Sequence, residues 1–396
     1  MLNKILVCAG LAGCLAILPA AAQEPDQASA SEQPVNAPAP EKKDESAGKL
    51  SYNKGFSFVS ADRQFTMKIT SRLQSRYTLT DPEVGDSVGS FRIRRAKTSF
   101  EGMAFGDWKY KVQVNWVGGT VVNAVSQTSS GAVSSSRSNG PVLEDAQIEY
   151  MRNPLAVPWI GQGKAFFGRQ ELTSSGRQQF VDRSIASGRF AAGRDQGIGL
   201  TGTTEAKTFE YNLGVYNGNG INQSTNDNKD YLTVARLVWT PFGEYKLEES
   251  SLDYPASPRL ALGASGYQNT VGTGTGERDL TRLNGEFAFK VNGLNMVGEY
   301  YTEESQPPSG PSLDTDGFYY QLGYLFPNRI FEIAGRYAVI SPDTAVDSDQ
   351  IETRLGLNAY FSKSHEYKLQ ADYGQIEDEL RNTKDKEARL QLQLWF

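Results

Sequence analysis

From Gln64 onward the apolar residues of this chain recur at every second position. In 64–79, Phe65, Met67, Ile69, Leu73, Tyr77 and Leu79 hold the odd positions, while Gln64, Lys68, Arg72, Gln74 and Arg76 hold the even ones. Residues two apart share a face of a strand, so one face is apolar and the other polar and charged. Trp108, Tyr110, Val112, Val114 and Trp116 likewise oppose Lys109, Lys111, Gln113 and Asn115. Ile351, Leu355, Leu357 and Phe361 oppose Glu352, Arg354 and Asn358. Ala388, Leu390, Leu392, Leu394 and Phe396 oppose Arg389, Gln391 and Gln393. About 16 segments follow this rule, with 18 possible: 64–80, 90–104, 107–118, 143–152, 161–172, 196–204, 207–217, 230–241, 258–270, 278–291, 294–304, 316–326, 329–341, 349–361, 366–377 and 386–396.

A soluble sandwich also alternates. Three features favour an all-β transmembrane antiparallel barrel instead. The polar face carries charges in segment after segment, which a watery lumen tolerates and a dry core does not. Aromatics gather near strand ends (Tyr77, Trp116, Tyr150, Tyr216, Trp239, Tyr360, Trp395), as interfacial girdles do. The last alternating strand ends on Phe396, which reads as the signal for the barrel-assembly machinery. Short turns at Gly106-Asp107, Pro327-Asn328 and Ser362–His365 then face the periplasm. The long loops near 118–142, 173–195, 218–229, 305–315 and 342–348 lie outside or turn inward. About 16 strands enclose an aqueous channel rather than a packed interior.

The first 22 residues fit a signal peptide: Lys4, an apolar run from Ile5 to Leu18, and Ala20-Ala21-Ala22 before Gln23. A lipoprotein reading, with cleavage at Leu11-Ala12-Gly13-Cys14 and lipid on Cys14, remains open. Residues 23–55 form an Ala-, Pro- and Glu-rich linker that buries too little apolar surface to fold. The barrel then occupies 56–396. Export through the periplasm to the bacterial outer membrane follows, with membrane lipid and lipopolysaccharide as surroundings.

Composition narrows the function. A mean hydropathy of −0.47 excludes a polytopic helical membrane protein. A net charge of −6 argues against nucleic-acid binding. The chain has one histidine and two cysteines, both before residue 15, so histidine-based catalysis, metal centres and disulfide scaffolds are not expected. No enzyme activity, cofactor or metal is expected. His365 reads as a solvated turn residue. The acid runs Glu248-Glu249, Glu303-Glu304 and Glu377-Asp378-Glu379 read as surface loops, with calcium or lipopolysaccharide bridging as a lesser alternative.

Residues 91–115 run FRIRRAKTSFEGMAFGDWKYKVQVN. This resembles the phosphate-selective porin O and P family, in which an F-R-x-R-R-A strand precedes a G-D-W-x-Y strand. Gly168-Arg169-Gln170 leading to Thr173-Ser174-Ser175, Val181-Asp182-Arg183, Gly193-Arg194-Asp195 and Val215-Tyr216-Asn217-Gly218-Asn219-Gly220 extend the resemblance. It implies a 16-stranded homotrimer, loop three folded into the lumen, and lumen arginines that pass anions. The sequence departs from the family where a loop-three lysine falls at Gly176; Arg177 is adjacent. The later arginine-dense segment is also thin, with Arg259 and Arg282.

The candidate anion path follows. Lys68, Arg72 and Arg76 share the polar face of the first strand, and Arg92, Arg94 and Arg95 sit on its neighbour. The apolar set shifts phase there, from Phe91 and Ile93 to Ala96, Thr98 and Phe100, which a β-bulge near Arg94-Arg95 explains. Guanidinium groups suit phosphate because they stay charged and offer paired donors. Lys109, Arg169, Arg177, Arg183, Arg189 and Arg194 complete the set, several of them in the loop 173–195. The bland alternative is lumen arginines paired with acids such as Glu101 and Glu149. The reading is a diffusion channel for small anions, phosphate or polyphosphate first; the alternative is a general or carbohydrate-permeable porin. A sugar path wants aromatics along the lumen, and most here alternate outward.

Overall fold

The computed structural model describes residues 48–118, 121–127, 133–138 and 140–396. The strands in chain order are β1 (Lys49–Tyr52), β2 (Phe56–Val59), β3 (Thr66–Asp81), β4 (Val88–Ala104), β5 (Trp108–Asn115), β6 (Val121–Gln127), β7 (Val133–Ser138), β8 (Val142–Tyr150), β9 (Val157–Lys164) and β10 (Arg194–Thr203). They continue as β11 (Phe209–Tyr216), β12 (Leu232–Trp239), β13 (Arg259–Val271), β14 (Arg278–Val291), β15 (Leu294–Gln306), β16 (Leu313–Leu325), β17 (Phe331–Pro342), β18 (Gln350–Tyr360), β19 (Tyr367–Asp378) and β20 (Thr383–Trp395). Two short helices, α1 (Arg169–Leu172) and α2 (Ile185–Phe190), lie between β9 and β10.

The main sheet has 18 strands, all antiparallel, with β6–β7 as a separate hairpin. Sixteen of the eighteen close a barrel, and β1 and β2 are additions. Closure is the β20–β3 seam, from Lys386 opposite Asp81 to Trp395 opposite Arg72. Ser71 and Phe396 exchange backbone hydrogen bonds of 2.6 and 2.9 Å at its end. The β1–β2 hairpin pairs with the start of β3 on that same edge, Phe56 opposite Ile69. β1 falls within the stretch read as linker; residues 1–47, with the leader and Cys14, lie outside the described residues.

Alternation explains the wall. Leu355 and Leu357 are 65 and 61 % exposed toward the lipid side, while Glu352 and Arg354, at even positions of the same strand, are 2 % exposed inside. An outward apolar band and an inward polar face satisfy both solvents at once. A two-residue type I′ turn needs φ > 0 at both positions, and its twist matches that of the strands. Asn292 and Gly293, joining β14 to β15, supply φ of 46° and 86°.

Inside, an aromatic cluster glues the β9–β10 loop to one side of the barrel. Phe190 of α2 stacks on Tyr301 of β15 with centroids 5.1 Å apart and planes 7° apart. Phe167 packs on Tyr267 and Tyr301. Tyr216, Tyr245, Leu232 and Ala338 continue this core.

Several sequence readings are corrected. The strand expected over 161–172 ends at Lys164: Ala165-Phe166-Phe167 breaks the alternation, and Gly168 turns the chain with φ 75°. Glu248-Glu249 is no surface loop. The 240–258 connection, at the short-turn end, bends inward and leaves Glu249, Ser250 and Ser251 at most 1 % exposed. Glu249 is accommodated there because its carboxylate accepts from Gln170 Nε2 at 3.0 Å and from the Gln179 backbone at 2.8 Å. His365 is not solvated but 7 % exposed, its ring nitrogen 3.1 Å from the Glu249 carbonyl. Glu303 is an inward residue of β15, held by Arg282 and Arg189 at 2.6 Å each, and Glu377 and Asp378 belong to β19. Tyr216 and Tyr360 are buried inside rather than in a girdle, and Trp395 also turns inward.

Candidate functional site

The β-bulge lies where the phase shift predicts it. Gln74 of β3 pairs with Arg95 and Ser75 pairs with Ile93, so Arg94 is the extra residue of β4. The extra residue re-aims the strand. Both guanidiniums then reach one carboxylate: Arg94 and Arg95 lie 3.6 and 3.4 Å from Asp182 of the β9–β10 loop. Arg76 joins them at 2.5 Å and Arg389 at 3.9 Å. Burial alone raises the Asp182 pKa, but Arg76, Arg95 and Arg94 outweigh it and hold the carboxyl far below the usual range. Asp182 is therefore a fixed anion that ties the loop to the wall.

Beside this tie a cavity of about 820 Å³ runs between the loop and β3–β5 and β8–β12. Nine basic residues line it: Arg72, Arg94, Arg95, Lys97, Lys111, Lys164, Arg183, Arg194 and Arg236. Three acids do so: Glu144, Asp145 and Glu210. A second space of about 220 Å³ continues toward the short-turn end and shares Arg72, Lys97, Lys111, Gln113 and Ser174 with the first. Those shared residues lie where the two spaces meet, the waist between them.

The cations differ in how far they are neutralised. Lys97 is ion-paired with Glu144; Lys111 and Arg194 hold Asp145 at 2.8 and 2.7 Å. Arg236 is enclosed by Glu286 at 2.5 Å and Glu210 at 3.1 Å. Arg183 donates to the carbonyls of Gln170, Glu171 and Thr173 at 3.0–3.1 Å and pairs with Glu171 at 3.0 Å. Lys164 binds the carbonyls of Glu171, Leu172 and Thr173. Both therefore fasten the carbonyl end of α1, where cations are favoured. Arg72 donates to hydroxyls instead, Ser174 Oγ at 2.9 Å and Ser175 Oγ at 3.1 Å, with its guanidinium 5.0 Å from the Trp395 ring centroid.

Across the seam, the β17–β20 wall is compensated. Arg336, Glu352, Arg354, Asp372 and Arg389 form a chain of alternating charge with contacts of 2.7–2.9 Å. Among the described residues, the cationic lining of the cavity thus contrasts with this balanced wall.

Of the residues singled out in the sequence, Arg72, Arg94, Arg95, Arg177, Arg183 and Arg194 line the two spaces. The others do not. Arg76 is buried behind the tie, bonded to Asp182 and Gln391. Arg169 is 2 % exposed, stacked 4.7 Å over Tyr245 and bonded to the Lys246 carbonyl. Arg189 pairs with Glu303, and Lys109 with Glu149 at 3.0 Å. Arg92 is exposed, and Lys68 is half-buried opposite Glu101 on β4. Lys97, Lys111, Lys164 and Arg236 were missed. The first was legible: beyond the bulge, Arg95, Lys97 and Ser99 share the inward phase.

A closed barrel with a water-accessible, charged passage beside an internal loop defines the outer-membrane porins. The chain belongs to the phosphate-selective porin O and P family, whose model matches residues 67–396. No curated protein matches it in sequence. The anion-selective porin from Comamonas acidovorans is 10% identical, with 84% of this chain and 100% of that one covered at a TM-score of 0.60. The outer membrane channel DcaP of Acinetobacter baumannii is 11% identical, covering 84% and 97% at 0.57. OmpT of Vibrio cholerae, in a trimer form, is 11% identical, covering 84% and 99% at 0.53. At such identities the likeness is one of fold. The protein is an outer-membrane porin.

Proposed function

We propose that this porin passes small anions, phosphate among them, by passive diffusion through the passage between loop 165–193 and the β3–β5, β8–β12 wall. The observation that carries this is the lining of nine basic against three acidic residues, in a chain whose overall charge is −6. A permeating ion responds to charges within roughly one Debye length, about 8–10 Å, so outer-loop acids are screened and the waist dominates. Arg72, Arg94, Lys97, Lys111, Arg177 and Arg194 act as several moderate sites in series, which conduct better than one tight site. The assembly is a homotrimer, as one fold relative is described, with a cleaved leader preceding the mature chain.

The test is the reversal potential in a potassium chloride gradient, with and without the triple replacement of Arg72, Arg94 and Arg177 by Gln. The wild type should sit on the anion side and the variant move toward the cation side. An unchanged potential would remove these arginines from selectivity. A general porin is the second reading; it is favoured by Lys164 and Arg183, which line the cavity but spend their donors on fastening α1.

A further inference from the structure

We infer that Trp395 is a positioning residue that sets Arg72 and Arg177 as a paired subsite for a small oxyanion, on the short-turn side of the waist. This rests on the anion-channel reading and adds to it a place and a platform. Arg72 and Arg177 lie over the same indole ring, at 5.0 and 5.7 Å from its centroid. An indole face attracts guanidinium groups, which offsets part of the repulsion between two like charges brought close together. Both side chains line the 220 Å³ space, together with Trp395, Ser174 and Glu101. Arg72 Nε is buried and has no hydrogen-bond partner among the described residues. Lys97 and Lys111 also face this space, but each already holds a carboxylate. Arg72 and Arg177 are thus the cations with charge to spare, and a two-charge oxyanion such as inorganic phosphate matches them. A guanidinium fork meets such oxygens in pairs.

The seam supplies the placement. Trp395 is the last β20 residue paired to β3, and its partner is Arg72 itself. Gln393, one inward position earlier, donates to the Gly176 carbonyl at 3.0 Å and so holds the neighbouring Arg177 within reach.

The experiment measures the inorganic phosphate concentration that halves chloride conductance through single channels. The wild type is compared with W395L, W395F and R177Q. W395L and R177Q should each raise that concentration roughly five- to tenfold, and W395F should stay within about twofold because a ring face remains. R177Q changes an exposed loop side chain and decides the matter if W395L fails to assemble. Unchanged block in R177Q overturns the paired subsite, and W395F as weak as W395L overturns the platform. A wild-type channel that prefers cations instead sinks the anion-channel reading itself, so the two failures are separable.

Discussion

A Cβ placed on Gly176 would stand 2.2 Å from Nη1 of Arg72. The same atom would lie 3.0 Å from Arg72 Cδ and 3.0 Å from the Trp395 ring, so the loop backbone lies directly against the arginine. A side chain at position 176 therefore enters only by displacing the end of Arg72. G176A should push Arg72 off Ser174 and Ser175, at a cost of about 1–3 kcal/mol in urea unfolding of the detergent-solubilised barrel. The same change in an R72Q background should cost clearly less, since the side chain it strikes is shortened. Equal costs in both backgrounds would show that Arg72 is not what the backbone leans on.

The bulge makes a register prediction. Cysteines at Arg94 and Arg95 should both react with a membrane-impermeant thiol reagent, although they are adjacent in a strand. Cysteines at Phe91 and Ile93, which are 84 and 53 % exposed on the outward face, should be shielded by lipid. Reaction at Ile93 with protection at Arg94 would place the extra residue elsewhere.

Phe190 anchors the loop through its stack on Tyr301, and Gly317 makes room for it: a Cβ there would meet Phe190 Cε2 at 2.4 Å. F190A should cost roughly 3 kcal/mol of stability, as large-to-small changes in packed cores do. It should also broaden single-channel conductance as the loop loosens. G317V should mimic it by displacement. A narrow, wild-type conductance in both variants would separate loop anchoring from the stack.

His365 gives a pH dependence with a defined sign. Burial, then Lys368 and Arg177, pushes its pKa well below the ordinary 6.5. The unfolded chain takes up a proton near pH 6.5 while the folded chain stays neutral, so stability falls as pH falls, by about 1.4 kcal/mol per unit. The loss begins near pH 6.5 and ends where the folded-state ring protonates. Unfolding midpoints between pH 7 and 5 should therefore drop for the wild type and drop less for H365Q. Parallel curves would mean that His365 is not the group responsible.

The wall was legible because alternation is a local property: each of the sixteen barrel strands overlaps a segment marked by its period of two, and the bulge appeared as a break in phase. Trp395 was also legible on those terms, since it shares parity with Gln391 and Gln393, yet its position at a strand end suggested a girdle. The inward turn of 240–258 was not legible. Glu248-Glu249 looks solvated until Gln170 and Gln179, some seventy to eighty residues away, are seen to donate to Glu249. Charge balance was hidden for the same reason. Arg169 and Arg177 are alike in sequence, but one is spent on Tyr245 and the other faces the passage, and only the packed loop distinguishes them.

The smaller space abuts the seam, with Arg72 contributed by β3 and Trp395 by β20. The wall of that space is consequently a product of ring closure. A nascent barrel with β20 not yet zipped to β3 lacks the indole, the facing arginines and the loop anchor at Gly176 together. Such an unfinished ring cannot yet hold Arg72, Arg177 and Trp395 together, so completion of the sheet and assembly of this space are one event.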